Sequence, residues 1–301
     1  MLGRGRAMAA TFQCDSKSVF STKDQMHAAC LPCLSLPTPR PLSPSQTRNT
    51  DNYFLDSANH ISFFFEEGAF DEEGKPSRPQ ALSINKIGHA LHDLDPIFDA
   101  WSRSSKVIEI CRALGYRRPV PLQSMYIFKQ PGIGGEVIAH QDSTFLYTDP
   151  PSVLGFWLAL EDATEENGCL WTVPGSHRHG VCRRFVRVAR DKEEGQSQGG
   201  AGSSQPSTPP STPQDRVTFD KPPANLPDKD FVPIPAAAGS LVLLHGSNHH
   251  RSGPNLSKKS RHAFSMHLVE SGPGVKYPPD NWLQRSSTFP MRPLYDLANH
   301  S

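Results

Sequence analysis

The sequence predicts an α+β protein that is mainly β, with its strands closing as a jelly-roll barrel or sandwich. Residues 84–116 carry helix-like hydrophobic periodicity, and from residue 122 onward short alternating runs are separated by turn dipeptides. The third observation is the length of the part of the chain that shows these patterns. Setting aside two segments that lack either pattern leaves about 225 residues, a common size for one β-rich domain.

Those two segments have the composition of chain that does not pack. Residues 1–50 show neither a 3.6-residue nor a 2-residue hydrophobic period and end in a proline-rich run, so we expect an extended or disordered lead-in. Residues 191–216 are almost wholly Gly, Ser, Thr, Pro, Gln and charged, which predicts a disordered insert. The predicted domain therefore spans residues 51–301 and is interrupted by that insert.

Within this domain, helices are predicted to come first and strands afterwards. Ile84, Ile87, Leu91 and Leu94 recur at helical spacing, and the same spacing returns over 107–114. The predicted strands cover residues 122–128, 136–140, 153–160, 168–173, 240–245 and 262–268.

Charge and hydropathy exclude some classes of partner. The chain has 31 Lys+Arg and 30 Asp+Glu, a formal charge of +1, so no strong field favours nucleic acid. No run approaches the ~18 apolar residues of a membrane span, and the start of the chain has no secretory apolar core. We therefore expect an intracellular, cytoplasmic protein with a small-molecule substrate. No feature indicates its oligomeric state.

A metal-ligand pattern begins at the end of a predicted strand. His140 and Asp142 are two residues apart, so on a strand their side chains project to the same face. A third ligand is expected about a hundred residues later, at His245, His249 or His250. Two histidines and one carboxylate are the ligand set of non-haem Fe(II) oxygenases, which leaves coordination positions open.

Those open positions suit a co-substrate that chelates iron and supplies two electrons to O2, as an α-keto acid does. Its far carboxylate must then be held by a fixed cation. Arg261, at the head of the last predicted strand, provides a planar guanidinium that can grip a carboxylate with two parallel hydrogen bonds.

At this point several motifs resemble the phytanoyl-CoA dioxygenase family, over about residues 51–295 apart from the insert. The motifs are Gly135-Glu136-Val137 with His140-Gln141-Asp142, Asn167-Gly168-Cys169-Leu170, Pro174-Gly175-Ser176-His177, and His250-Arg251-Ser252-Gly253-Pro254-Asn255 with Arg261. Two longer segments, 83–92 and 124–131, add to the likeness.

The resemblance implies a double-stranded β-helix that binds Fe(II) and uses 2-oxoglutarate and O2 to hydroxylate a substrate, with release of succinate and CO2. It selects His250 as the second histidine ligand. It also implies that Lys86, Met125, Trp157 and Arg261 line the 2-oxoglutarate pocket. Within the family, an acyl-CoA is the substrate that analogy suggests.

Two other hypotheses stay open. Members of the family begin with a helix and a strand that residues 1–50 do not match, so the chain could bind metal and 2-oxoglutarate while being catalytically impaired. The same ligands would also serve a zinc hydrolase, although Arg261 would then have no purpose.

Overall fold

The computed structural model describes residues 1–11, 19–20, 27–28, 52–188 and 217–297. The predicted insert, residues 191–216, lies outside the described residues, as does most of the predicted lead-in. The described helices are α1 (Leu2–Thr11), α2 (Asn52–Asp56), α3 (Leu91–Leu94), α4 (Pro96–Ser102) and α5 (Ser105–Ala113).

The described strands form two larger sheets and a ribbon. They are β1 (Val19–Phe20), β2 (His27–Ala28), β3 (Ile61–Phe65), β4 (Ile84–His89), β5 (Pro119–Ile127), β6 (Val137–His140), β7 (Leu154–Ala159), β8 (Leu170–Thr172), β9 (Phe185–Arg187), β10 (Val217–Phe219), β11 (Val232–Ile234), β12 (Leu241–His245), β13 (His250–Ser252) and β14 (Ala263–Glu270). The protein is thus mainly β, as the sequence predicts.

The chain alternates between the two larger sheets. The large sheet has the order β12-β7-β14-β5-β4-β3-β1-β2, and the small sheet has the order β11-β8-β13-β6. From β5 to β8 each strand lies in the other sheet from its predecessor, and β11 to β14 alternate again. All pairings except the one between β1 and β3 are antiparallel.

Strand β14 is buried on both faces because helices cover one side of the large sheet and the small sheet covers the other. Phe264 and Met266 pack on the helix side with Phe98 of α4. Ala263 packs between the sheets in a cluster with Trp157. Alternate residues of the central strands therefore face a space between the two sheets, and polar residues on that face line it.

All six predicted strands are present, with ends that differ by a few residues. The helix predicted from residue 84 is wrong over its first turns, since residues 84–89 form strand β4. All six residues of β4 are buried. In a strand buried on both faces, apolar residues need not alternate, so Ile84 and Ile87 imitate a helical interval. Helical structure does follow, in α3 to α5.

The lead-in also departs from expectation, because residues 2–11 form helix α1. Gly5 is buried against Tyr126, and a Cβ at Gly5 would lie 2.3 Å from the Tyr126 ring. Arg4 donates to Asp95 at 2.7 Å, and Arg6 pairs with Glu161. The helix therefore docks through a small-residue contact and two arginines, which a search for hydrophobic periodicity does not detect. No described helix has the length and apolar character to cross a membrane.

Candidate functional site

Three predicted ligands meet at the open end of the space between the sheets. His140 ends β6, His250 begins β13, and the two residues are directly paired across the small sheet. Asp142 opens a short 3-10 turn rather than continuing the strand, yet it still faces both histidines. Its Oδ1 lies 3.7 Å from His140 Nε2 and 3.6 Å from His250 Nε2. The three ligand atoms lie within 4.8 Å of one another and could hold one metal ion.

Backbone carbonyls fix the orientation of both rings. His140 Nδ1 donates to the carbonyl oxygen of Ile138 at 2.9 Å, and His250 Nδ1 donates to that of Asn248 at 3.1 Å. In the neutral ring this leaves Nε2 unprotonated and directed to the shared centre, the arrangement usual for metal-binding histidines. Burial lowers the pKa of His250 to about 4, so this ring is neutral near pH 7.

The Asp142 carboxylate is ionised despite its burial. Burial alone would raise its pKa, but the neighbouring His267 and His250 outweigh that effect and hold the pKa well below its usual range. His267 Nε2 lies 3.2 Å from Asp142 Oδ1, and Gln123 Nε2 donates to His267 Nδ1 at 3.1 Å. Gln123 thereby leaves the His267 proton on Nε2, from which it is donated to Asp142.

A metal ion fits this set of donors. Asp142 Oδ2 is buried and has no hydrogen-bond partner among the described residues, although a buried carboxylate oxygen normally has one. Gly155 leaves room for it, since a Cβ there would lie 2.8 Å from Oδ2. Two imidazole nitrogens and one carboxylate are suited to divalent iron or zinc with positions left open for other ligands.

A cavity of about 150 Å³ extends from the three ligands into the space between the sheets. The residues that the family resemblance assigns to a co-substrate pocket all line it: Lys86, Met125, Trp157 and Arg261. They come from four strands or strand ends of the large sheet. Lys86 is on β4, not on the exposed face of a helix, and is buried.

The end of the cavity away from the ligands is cationic. Arg261 is 1% exposed, and its Nε and Nη1 atoms have no hydrogen-bond partner among the described residues. Its Cζ lies 5.2 Å from the centre of the Trp157 ring. Burial lowers the pKa of Arg261 to about 10 and that of Lys86 to about 7. A buried guanidinium with unfilled donors forms a site that favours an anion.

The other two candidate histidines lie outside the ligand group. His245 ends β12 and is exposed, and the centre of its ring lies 5.0 Å from that of His177, with the two rings tilted by 44°. His249 Nε2 lies 3.4 Å from the sulfur of Cys182. The resemblance and the geometry thus agree on His250.

Sequence reasoning missed three residues that line the same cavity, namely Gln123, Lys129 and His267. Strand alternation offers a signal for two of them, because Gln123 is in phase with Met125 on β5 and His267 is in phase with Ser265 on β14. Lys129 follows β5 and has a positive φ, so alternation does not extend to it. The β14 ladder has an irregularity just after His267, as is common where a strand positions a functional side chain.

Comparison with known proteins identifies relatives over most of the chain. The family model described as Phytanoyl-CoA dioxygenase (PhyH) matches residues 17–263. A protein of Arabidopsis thaliana named phytanoyl-CoA dioxygenase is 49% identical over 286 residues, which cover 95% of this chain and 84% of that protein. Phytanoyl-CoA dioxygenase domain-containing protein 1 of Rattus norvegicus is 49% identical over 251 residues, covering 83% of this chain and 79% of that protein.

These matches correct the expectation that residues 1–50 fall outside the family, because the family match begins at residue 17. Among solved structures, the epimerase SnoN in complex with Fe³⁺, alpha ketoglutarate and nogalamycin RO is similar with a TM-score of 0.49 and 15% identity. That similarity covers 81% of this chain and 83% of SnoN.

Proposed function

The chain belongs to the phytanoyl-CoA dioxygenase family, and from this premise we propose that it is an Fe(II)- and 2-oxoglutarate-dependent dioxygenase that hydroxylates a small-molecule substrate. The observation that carries the proposal is one cavity with two chemically different ends. His140, Asp142 and His250 converge at one end, and the buried guanidinium of Arg261 lies towards the other. A zinc hydrolase would have no use for the cationic end.

The strand order supports the finer description of the fold as a double-stranded β-helix. In that fold, two four-stranded antiparallel sheets receive strands alternately from one chain. Here β5, β14, β7 and β12 are neighbours in the large sheet, while β6, β13, β8 and β11 make up the small one. Strands β1 to β4 then extend the large sheet beyond this core.

In the proposed reaction, His140, Asp142 and His250 would hold Fe(II), and Arg261 would bind the distal carboxylate of 2-oxoglutarate. When bound, Fe(II) and 2-oxoglutarate would supply the electrons that activate O2, with one oxygen atom going into succinate as CO2 is released and the other into a substrate C–H bond. The carbonyls of Ile138 and Asn248 keep both imidazoles turned towards the metal position. His267 keeps the Asp142 carboxylate from rotating away.

The cavity walls would orient the keto acid and exclude water. Trp157 packs beside the Arg261 guanidinium, which restricts the rotamers of that side chain and keeps it aimed into the cavity. Met125 lies next to the backbone of Gly88, where a Cβ would be 3.3 Å from Met125 Cγ. Lys86 adds positive charge from β4. The substrate remains to be identified, and an acyl-CoA is the analogy that the family offers.

The test is formation of succinate from 2-oxoglutarate by the purified full chain with Fe(II) and O2. We expect wild-type protein to release succinate and Asp142→Ala to release none, because the variant has lost the carboxylate ligand. Asp230→Ala, which alters an exposed carboxylate away from the cavity, serves as the matched control and should behave as wild type. Equal succinate release by Asp142→Ala would refute the assignment. A metal-loaded wild type that releases none would favour the catalytically impaired alternative.

A further inference from the structure

Lys129 brings an additional cation to the cavity, from the loop that follows β5. Lys129 is 2% exposed, and its backbone has a positive φ of 43°, which is unusual for a residue other than glycine. Two groups hold that conformation by donating to the Lys129 carbonyl, namely Asn255 Nδ2 at 2.8 Å and the backbone N–H of Arg261 at 3.3 Å. Strained backbone of this kind is maintained by its surroundings and clusters at functional sites.

The ammonium group of Lys129 lacks a full set of acceptors. Within the described part of the chain it donates to the carbonyl oxygen of Gly135 and forms no salt bridge. The charges of Glu66 and Glu136 both act on Lys129, and Glu66 accepts hydrogen bonds from Asn85 and from the backbone N–H of Gly135. Burial, together with the positive charge of Arg261, lowers the pKa of Lys129 to about 7. Below about pH 7 the free protein therefore buries an ammonium with donors that have no acceptor among the described residues.

Lys129 and Arg261 converge on the same small volume. A Cβ at Gly168 would lie 2.7 Å from Lys129 Cε and 3.5 Å from Ser252 Oγ. Ser252 Oγ in turn accepts a hydrogen bond from Arg261 Nη2 at 3.4 Å. Gly168 also has a φ of +86°, so glycine serves both the turn and the close approach of the lysine. The two cations thus flank Ser252.

We propose that Lys129 is a second cationic contact for the distal carboxylate of 2-oxoglutarate, and that it makes the pocket selective for a keto diacid over a keto monoacid of equal length. The inference rests on the proposed function. Two buried cations with unfilled donors are costly without a counter-ion, and one carboxylate can accept from both. A monoacid with a methyl group at that position would leave both unpaired.

The experiment compares the dissociation constants of 2-oxoglutarate and 2-oxopentanoate by calorimetry on the full chain with Mn(II), in the absence of turnover. Wild type should bind the diacid more tightly. Lys129→Met should weaken 2-oxoglutarate binding by about ten- to a hundredfold, the effect of losing one charge-assisted hydrogen bond. Binding of 2-oxopentanoate should change less than twofold. A structural lesion would weaken both ligands alike.

Three further variants control the result. Lys258→Met, which alters an exposed lysine three residues before Arg261, should leave both constants unchanged. Lys129→Arg should retain most of the preference for the diacid, and Lys129→Gln should replace Lys129→Met if the latter is insoluble. Equal loss for both ligands, or no loss for 2-oxoglutarate, overturns the role of Lys129. Failure of wild type to bind 2-oxoglutarate at all overturns the proposed function and this inference with it.

Discussion

The two ends of the cavity are built on opposite principles. At the ligand end, His140 and His250 are held by backbone carbonyls, and Asp142 by His267. At the cationic end, Arg261 has two nitrogens without a partner among the described residues, and Lys129 forms no salt bridge there. The first end is preorganised before anything binds, whereas the second is completed by its ligand. Metal and keto acid affinities should therefore respond to different substitutions.

The largest effect that separates the two ends is expected for Arg261→Ala. Loss of a charge-assisted pair worth ~1.5–3 kcal/mol should weaken 2-oxoglutarate binding by about ten- to a hundredfold. Metal affinity should not change, because Arg261 contacts none of the three ligands. Arg261→Lys keeps the charge but loses the planar fork, so it should recover little of the affinity. Calorimetry measures the dissociation constants of Mn(II) and of 2-oxoglutarate. If the Michaelis constant for 2-oxoglutarate stays at the wild-type value, a group other than Arg261 binds the distal carboxylate.

His267→Leu should produce the reverse pattern. The variant removes the donor to Asp142 Oδ1, and loss of an outer partner of a metal ligand typically costs about tenfold or more in metal affinity. His267→Gln, which keeps an N–H donor, should recover part of that loss. Mn(II) binding followed by electron paramagnetic resonance reports the constant. Unchanged Mn(II) affinity in the leucine variant would show that His267 does not position the carboxylate.

Raising the pH should weaken 2-oxoglutarate binding at the cationic end. Burial lowers the pKa of Lys86 and of Lys129 to about 7, and a bound carboxylate favours their protonated forms. Affinity is therefore full below about pH 7 and falls as the pH rises through and above that value, by a few-fold per unit. Burial raises the pKa of Glu66, so this carboxyl group ionises as the pH rises and then repels the carboxylate of 2-oxoglutarate. Arg261 stays charged until about pH 10.

The check is a series of 2-oxoglutarate dissociation constants with Mn(II) between about pH 6 and pH 9. His250, with a pKa of about 4, is neutral throughout that interval. Lys129→Met should flatten the dependence. Binding that strengthens with rising pH would contradict the account of the cationic end.

The smallest effect concerns helix α1, which packs behind the cationic end. Tyr126, on which Gly5 rests, bonds through its hydroxyl to His262, the residue after Arg261. Glu161, paired with Arg6, accepts from Ser260 and from the backbone N–H of His262. Gly5→Val should lower the free energy of unfolding by ~1–3 kcal/mol through overpacking. It should weaken 2-oxoglutarate binding by less than Arg261→Ala does.

Gly3→Val provides the matched control, because Gly3 lies in the same helix and a Cβ there meets nothing within 4 Å. Both variants replace glycine with valine in the same helix, so the change in helix propensity is the same in both. Any difference between their free energies of unfolding therefore measures the contact with Tyr126. Metal affinity should stay at the wild-type value in both. If Gly5→Val and Gly3→Val unfold alike in urea, α1 does not support this end of the cavity.

The same contrast explains how far the sequence could predict the site. At the ligand end, His140 and Asp142 follow from local pattern because they are two residues apart, whereas the choice of His250 over His245 and His249 came from the family resemblance. The cationic end is assembled from β4, β5, β7 and β14, so Lys86 and Trp157 were reached through family resemblance. Lys129 carries no motif of its own, and its burial depends on close approach to Gly168.

The mainly β fold class was predicted correctly, but individual elements were missed, among them β4 and α1. Strand β4 is buried on both faces, and Ile84 and Ile87 within it fall at a helical interval, so its sequence imitates the first turns of a helix. Helix α1 is held by the close packing of Gly5 against Tyr126 and by ion pairs of Arg4 and Arg6, whose partners are about a hundred residues or more away in the sequence. Neither feature is visible in a local window. The six predicted strands were found because consecutive residues in each show the alternating or continuous apolar pattern of a buried strand.

The most direct test of the central claim is the visible absorption of the protein mixed with Fe(II) and 2-oxoglutarate without O2. A keto acid that chelates Fe(II) through its carboxylate and keto oxygens gives a charge-transfer band. We predict this band for wild type, its loss in Asp142→Ala, and its recovery in Arg261→Ala at higher 2-oxoglutarate concentration. A band of equal strength in Asp142→Ala, or none in wild type saturated with both components, would contradict the account.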